Sequence, residues 1–139
     1  MLRNCLESSN IPIRKKWGQI FLIDKNIIKN IISIINPSKD DHIIEIGPGK
    51  GALTIPLSQI VKNITAIEID PLLNDFLLSK NISNLTLFNK DILDWDFTNI
   101  ESNNSIKVIG NLPYYITTPI IFKFLKNKIW DEMIIMVQK

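Results

Sequence analysis

The stretch that decides the fold reads His42-Ile43-Ile44-Glu45-Ile46-Gly47-Pro48-Gly49-Lys50-Gly51. Its first five residues, mostly apolar and β-branched, predict a short buried strand. The three glycines predict a tight turn that lets the backbone approach a ligand. A helix is expected over residues 52–61, so its first amides would face that ligand. Lys50 does not make this a phosphate-binding P-loop, because no following Gly-Lys-Ser/Thr has the required spacing. An ordinary strand-to-helix turn can also have this pattern.

The same alternation of strand and helix continues along the chain. Helices are expected over residues 25–35 with Asp24 as N-cap, 71–80, and 117–126 with Pro119 in the first turn. Strands are expected over 64–69, 85–88, 106–109 and 133–137, and a turn or short helix within 91–104. This order predicts a parallel sheet with helices on both faces. Because the last strand is apolar at every position and ends the chain, the fold looks truncated after it.

Length and composition limit the classes of protein. A chain of 139 residues with 45% hydrophobic residues and net charge +2 predicts one globular domain. Residues 1–16 read as a basic arm ahead of a domain over 17–139, and Arg14, Lys15 and Lys16 would add salt-dependent affinity for a nucleic-acid partner. The single cysteine cannot form an internal disulfide, and the lack of any Cys/His cluster predicts that no metal site is present. No apolar run suits a membrane span or signal peptide, so a monomeric cytoplasmic protein is expected.

Two carboxylates follow the second and third predicted strands. Glu68 lies 21 residues after Gly47, where a carboxylate can accept hydrogen bonds from both ribose hydroxyls of an adenosine. Asp91 could accept from the adenine amino group, or it could simply cap a helix. Nicotinamide cofactors fit such a crevice but usually bring Gly-x-Gly-x-x-Gly. S-adenosylmethionine therefore fits the Gly47/Gly49 pattern better, and a nucleotide-dependent oxidoreductase is a weaker alternative.

A compact polar and aromatic group follows the fourth predicted strand. The Asn111 side-chain oxygen and the Leu112 carbonyl can both accept from the amine of a planar base, and Pro113 fixes the backbone. Tyr114 can stack on a base pulled out of its helix. These four are the candidate catalytic residues, although a turn with a core tyrosine would have the same sequence.

Together the motifs resemble the dimethyladenosine transferases of small-subunit (16S) ribosomal RNA. The resemblance runs from about residue 14 to 139. It rests on Gly18-Gln19-x-Phe21-Leu22, on residues 45–54, on Glu68-x-Asp70, Asp91-Ile92 and Gly110–Tyr114, and on Ile116–Pro119 and Val137-Gln138-Lys139. It implies a Rossmann-like S-adenosylmethionine-dependent methyltransferase fold. It also implies transfer of two methyl groups to N6 of each of two adjacent adenosines near the RNA's 3′ end, in ribosome biogenesis. Cofactor contacts are implied for Gln19, Leu22, Gly47, Gly49, Glu68, Asp91 and Asn111.

The sequence departs from the family pattern at three points. Ile20 stands where the family commonly has Asn, and Tyr115 where it often has Asn. Family members also continue beyond Gln138-Lys139 with two more strands and a helical domain that helps hold RNA. We therefore expect this chain to match the N-terminal catalytic part. Two alternatives stay open: a truncated, non-catalytic fragment that binds rRNA or assists assembly, and a large-subunit rRNA adenine methyltransferase.

Overall fold

The computed structural model describes residues 21–98, 100 and 104–137 of the chain. The predictions for the basic arm (1–16), Gln19 and Ile20 lie outside these residues. Within them the helices are α1 (Lys25–Ile35), α2 (Thr54–Ser58), α3 (Pro71–Leu78) and α4 (Tyr114–Lys126). The strands are β1 (His42–Ile46), β2 (Asn63–Ile67), β3 (Leu85–Phe88), β4 (Ile106–Leu112) and β5 (Glu132–Val137).

The strands form one parallel sheet in the order β3-β2-β1-β4-β5. The chain runs outward from β1 through β2 to β3 and then crosses to β4 on the other side of β1. This change of direction is a topological switch point, where ligands bind at the carboxyl ends of the strands. In the register, Ile46 of β1 pairs with Ile67 of β2 and Gly110 of β4, so β1 and β2 end side by side and β4 continues two residues beyond them. The predicted parallel sheet is confirmed.

Apolar side chains on the two faces of the sheet build two core layers. Ile43 and Ile44 are both fully buried and point to opposite faces, because successive residues of a strand alternate. On the Ile43 side the core includes residues of α1 and α2, and on the Ile44 side it includes α4 and the turn around Trp95. Helices therefore cover both faces, as predicted.

Helix α1 has the predicted bounds and cap. The Asp24 carboxylate accepts from the amides of Asn26 and Ile27 at 2.8 and 3.3 Å, which satisfies donors that the first turn leaves open. At the other end the Lys107 ammonium donates to the carbonyls of Ile35 and Asn36 at 2.9 and 2.8 Å. A cation at a helix C-terminus is stabilising, so β4 holds α1 against the sheet.

Helix α2 and strand β2 are shorter than predicted. Residues 52–53 belong to the turn that follows the glycines, and helix α2 begins at Thr54. It ends at Ser58 because the next two amides, of Gln59 and Ile60, bond three residues back instead of four. Strand β2 ends at Ile67, so Glu68 comes directly after it.

Strand β4 and helix α4 are longer than predicted. β4 continues to Leu112 because β5 pairs with it that far, with Leu112 opposite Val137. Asn111 and Leu112 are therefore the last two residues of β4, whereas the prediction placed them after the strand. Helix α4 begins at Tyr114, since Pro113 has the extended conformation of an N-cap. Pro119 thus lies in the helix interior and not in its first turn, where it costs a backbone hydrogen bond.

Candidate active site

The carboxyl ends of β1, β2 and β4 border a crevice made of two adjoining pockets. Phe21, Gly47, Gly49 and Asn111 line both pockets, so the two adjoin each other. The first pocket, of about 110 Å³, extends along the ends of β2 and β3; its further lining includes Glu68, Ile69, Lys90, Asp91, Ile92, Leu112, Pro113 and Ile116. The second extends under the glycine turn, between Leu22, Glu45 and Leu53. This crevice lies at the switch point of the sheet.

The glycine turn has left-handed backbone at each of its glycines. Gly47, Gly49 and Gly51 have φ of +66°, +59° and +88°. The Gly47 amide donates to the Ile67 carbonyl at 2.9 Å, which fixes the turn to the end of β2. A side chain at Gly47 would meet no atom within 4 Å, whereas one at Gly49 would lie 3.3 Å from the Phe21 ring. The backbone at Gly47 is therefore open to a ligand on its crevice side.

We expect Gly51→Ala to destabilise the fold more than Gly47→Ala. Both substitutions carry the left-handed penalty of about 1–2 kcal/mol. At Gly51 the new Cβ would also lie 2.8 Å from Cδ2 of Leu77, which is fully buried and can move only by disturbing the core. Urea unfolding should show a loss of about 1 kcal/mol for Gly47→Ala and a loss at least 1 kcal/mol larger for Gly51→Ala. Equal losses would contradict this account of the turn.

The Glu68 carboxylate holds the glycine turn in place. One of its oxygens accepts from the Gly49 amide and the other from the Asp70 amide, each at 3.0 Å. Burial raises the pKa of Glu68, and the Asp70 and Gly49 amides oppose that rise. Each carboxylate oxygen can accept a second hydrogen bond, so Glu68 keeps acceptor capacity toward the pocket that it lines. The sequence predicted that Glu68 contacts a ligand, but it did not predict that Glu68 also holds the glycine turn.

Glu45 is a buried acid beneath the turn, and the sequence analysis gave it no role. It is 3% exposed, and the Thr54 hydroxyl donates to its Oε2 at 2.5 Å. Burial raises the pKa of Glu45 to about 7, the Thr54 hydroxyl opposes the rise, and the nearby Glu68 carboxylate adds to it. The sequence held a sign of this role, because a carboxylate inside a mostly apolar buried strand needs a buried polar partner.

The raised pKa of Glu45 predicts a pH-dependent stability difference for Glu45→Gln. Between its unfolded pKa near 4.5 and its folded pKa of about 7, the folded chain binds more protons than the unfolded one. The parent therefore loses stability as pH rises through that window, and glutamine, which cannot ionise, does not. Relative to the parent, the variant should gain on the order of 2 kcal/mol between pH 5 and pH 8. Urea unfolding at both values measures the change, and a pH-independent difference would rule out a raised Glu45 pKa.

Asp91 and Asn89 organise the loop after β3. The Asp91 carboxylate accepts from the Leu93 amide at 2.9 Å and also borders the first pocket. Asp91 therefore caps a turn and also borders the crevice, and its contact with an adenine amino group stays a prediction. The Asn89 amide donates to the carbonyls of Glu68 and Ile69 at 2.8 and 3.3 Å, which ties this loop to the one after β2. The sequence analysis did not identify Asn89.

The four candidate catalytic residues follow one another at the end of β4 but have different environments. Asn111 lines both pockets and stands between them. Leu112 is 3% exposed and its side chain belongs to the core, so its proposed role falls to the backbone carbonyl. Pro113 lines the first pocket and caps α4. Tyr114 is 72% exposed, which rules out the alternative that this segment is a turn with a core tyrosine.

The described part of the chain shows neither a cluster of metal-binding side chains nor a helix that could span a membrane. Among the described residues, no three His, Cys, Asp or Glu side chains lie close enough together to hold a metal ion. Within residues 21–98, 100 and 104–137, no helix is long and apolar enough to cross a membrane. His42 lies at the amino end of β1, where its Nε2 bonds the Thr65 hydroxyl at 2.8 Å and burial lowers its pKa. It is therefore remote from the crevice.

Sequence comparison finds relatives over most of the chain. A sequence model of the family "Ribosomal RNA adenine dimethylase" matches residues 10–139. "Ribosomal RNA small subunit methyltransferase A" of Blochmanniella floridana is 47% identical over 134 residues, which cover 94% of this chain and 49% of that protein. The protein of the same name from Wigglesworthia glossinidia brevipalpis is 51% identical over 117 residues, covering 81% and 45%. The chain thus spans about half the length of the curated relatives it matches.

Solved structures share the same architecture. The 23S rRNA methyltransferase ErmE superposes with a TM-score of 0.74 and 28% identity, covering 86% of this chain and 48% of its own. A dimethyladenosine transferase from Plasmodium falciparum superposes with a TM-score of 0.74 and 26% identity, covering 86% and 44%. The fold and its crevice therefore define the Rossmann-like class of S-adenosylmethionine-dependent methyltransferases. Within that class, the chain belongs to the ribosomal RNA adenine dimethylase family.

Proposed function

We propose that this chain is the catalytic part of an enzyme that dimethylates N6 of two adjacent adenosines near the 3′ end of 16S ribosomal RNA, with S-adenosylmethionine as methyl donor. The observation that carries the proposal is the crevice itself. It joins two carboxylates, from Glu68 and Asp91, to Asn111, Leu112 and Pro113 at the end of β4, and Tyr114 follows directly after these residues. This combination provides an adenosine-binding site beside acceptors for an exocyclic amine.

The described residues fit the cofactor. Glu68 has acceptor capacity for ribose hydroxyls, and Asp91 borders the apolar part of the pocket where an adenine amino group needs an acceptor. Gly47 leaves open space above its backbone, and Gly49 and Leu22 flank the second pocket. The residues assigned to the cofactor site are therefore Leu22, Gly47, Gly49, Glu68, Asp91 and Asn111. Gln19 is added on the basis of the family motif alone.

When bound, S-adenosylmethionine supplies a methyl group on a positively charged sulfur. In the first transfer the Asn111 side-chain oxygen and the Leu112 carbonyl would accept the two N–H bonds of the adenine amine, which draws its lone pair out of conjugation with the ring. In the second transfer only one N–H remains for these two acceptors. Each time, the bond from the methyl group to N6 would form as its bond to sulfur breaks, and the amine would release one proton to water. Pro113 fixes both acceptors and Tyr114 holds the base face. The described residues place neither a cysteine nor a histidine at the crevice, so direct transfer to the amine is favoured over a methyl–enzyme intermediate. Positioning then accounts for much of the rate.

The small-subunit substrate is favoured over the large-subunit one. Relatives that are 40–51% identical carry the name "Ribosomal RNA small subunit methyltransferase A", whereas identity to the 23S rRNA methyltransferase ErmE is 28%. Residues 17–139 form the methyltransferase domain in this proposal, and the substrate is the precursor of the small ribosomal subunit in the cytoplasm. The open alternative is a non-catalytic rRNA-binding fragment.

Two measurements on the 139-residue chain test the proposal. Calorimetric titration with S-adenosylmethionine should show saturable binding. Incubation with radiolabelled cofactor and an unmodified 3′-end fragment of 16S rRNA should yield N6,N6-dimethyladenosine, and a 23S rRNA adenosine fragment should yield less. Cofactor and RNA binding without transfer would support the non-catalytic alternative, whereas the absence of cofactor binding would refute the proposal.

A further inference from the structure

Two neighbouring tyrosines open helix α4 beside the crevice. Tyr114 and Tyr115 are 72% and 54% exposed, although they adjoin residues that line the first pocket: Pro113 precedes them and Ile116 follows. The buried side chains of α4 are Thr117, Ile120 and Phe124. The two rings are therefore on the part of the helix that the core does not use.

The geometry of the pair limits what it can bind. The ring centroids are 6.1 Å apart and the ring planes meet at 87°. A nucleobase stacks with its plane parallel to an aromatic ring, and such stacking is the main way that proteins hold single-stranded RNA. Two bases stacked on these two rings would consequently lie almost at right angles. They could not remain stacked on each other.

We propose that Tyr115 stacks on the nucleotide next to the target adenosine while Tyr114 holds the target base. This inference rests on the proposed function and names a second RNA contact for the same site. The perpendicular rings would hold two consecutive bases apart, as is required when an enzyme turns one base out of the strand.

A thermodynamic cycle between protein and RNA tests the contact. The protein variants are Tyr114→Ala, Tyr115→Ala, Tyr115→Phe, which keeps the ring, and Phe122→Ala, which removes a 59% exposed ring two turns further along α4. The RNA is a single-stranded oligonucleotide with two adjacent adenosines. Two further versions each carry an abasic residue at one of these positions. Equilibrium binding is measured for every pair, with thermal melting to confirm that each variant is folded.

Loss of one base–aromatic stack should weaken RNA binding about tenfold in Tyr115→Ala, whereas Tyr115→Phe and Phe122→Ala should bind like the parent. Removing one of the two bases should weaken binding to the parent but add little in Tyr115→Ala, because both changes delete the same contact. Tyr114→Ala should couple in this way to the other base.

The inference is overturned if Tyr115 couples to neither base, if Tyr115→Phe binds as weakly as Tyr115→Ala, or if Phe122→Ala weakens binding equally. Calorimetric titration with S-adenosylmethionine separates this result from the proposed function. A parent that binds the cofactor but no RNA overturns the role of Tyr115 and leaves the cofactor site standing. A parent that shows the RNA coupling but binds no cofactor overturns the proposed methyl transfer and retains the base contact.

Discussion

Asn111→Ala is expected to slow methyl transfer about 100-fold, the cost of losing one preorganised hydrogen-bonding group in an active site. Asn111 stands between the two pockets at the end of β4, where strand pairing with Met136 holds its backbone. In the proposed reaction its side-chain oxygen accepts from an amine that becomes positive as the methyl group arrives. The acceptor is thus worth most in the transition state, and the loss should appear in the rate more than in binding.

Single-turnover kinetics at saturating cofactor and RNA measure this effect. Since Asn111 also borders the cofactor pocket, some loss of cofactor affinity is expected, and saturation removes it from the rate. The matched control is Asn127→Ala, which removes an exposed amide that bonds the Lys123 carbonyl at the far end of α4. Transfer by Asn111→Ala at the parent rate would show that the amide has no role in the chemistry.

Glu68→Ala is expected to weaken S-adenosylmethionine binding about 100-fold, which corresponds to a loss within the range of about 1.5–3 kcal/mol for a hydrogen bond to a charged group. Two effects combine in this variant. The ribose hydroxyls lose their acceptor, and the Gly49 amide loses the carboxylate that holds the glycine turn in position. Asp91→Ala should cost less, about tenfold, since the Asp91 carboxylate accepts from the Leu93 amide rather than from the glycine turn.

Calorimetry on a small set of variants separates these effects from a simple change of charge. Asp75→Ala removes an exposed carboxylate of α3, outside both pockets, and should bind like the parent. Glu68→Gln keeps one acceptor oxygen and should lie between the parent and Glu68→Ala. Unchanged affinity in both Glu68→Ala and Asp91→Ala would remove the cofactor assignment of this crevice.

The sequence alone predicted the layout of the fold because local patterns carried it. The bounds of α1, β1 and β3 were predicted to the residue: a capping Asp24, apolar spacing of 3 and 4, and short apolar runs between turn residues define them locally. The predicted bounds were wrong where an element's end depends on pairing with a neighbouring segment. Strand β4 extends to Leu112 because β5 offers it hydrogen bonds, and no pattern within residues 106–112 specifies that partner.

For the site, the sequence by itself determined which residues reach the crevice. Parallel strands end at one edge of the sheet, so Gly47, Glu68, Asp91 and Asn111 were placed together by their positions after predicted strands. Only the tertiary structure decided what these groups do to one another. It joins Glu68 to Gly49 and Glu45 to Thr54 across 19 and 9 residues, and it sets the Tyr114 and Tyr115 rings at 87°. These arrangements depend on burial and side-chain packing between elements, which no spacing along the chain encodes.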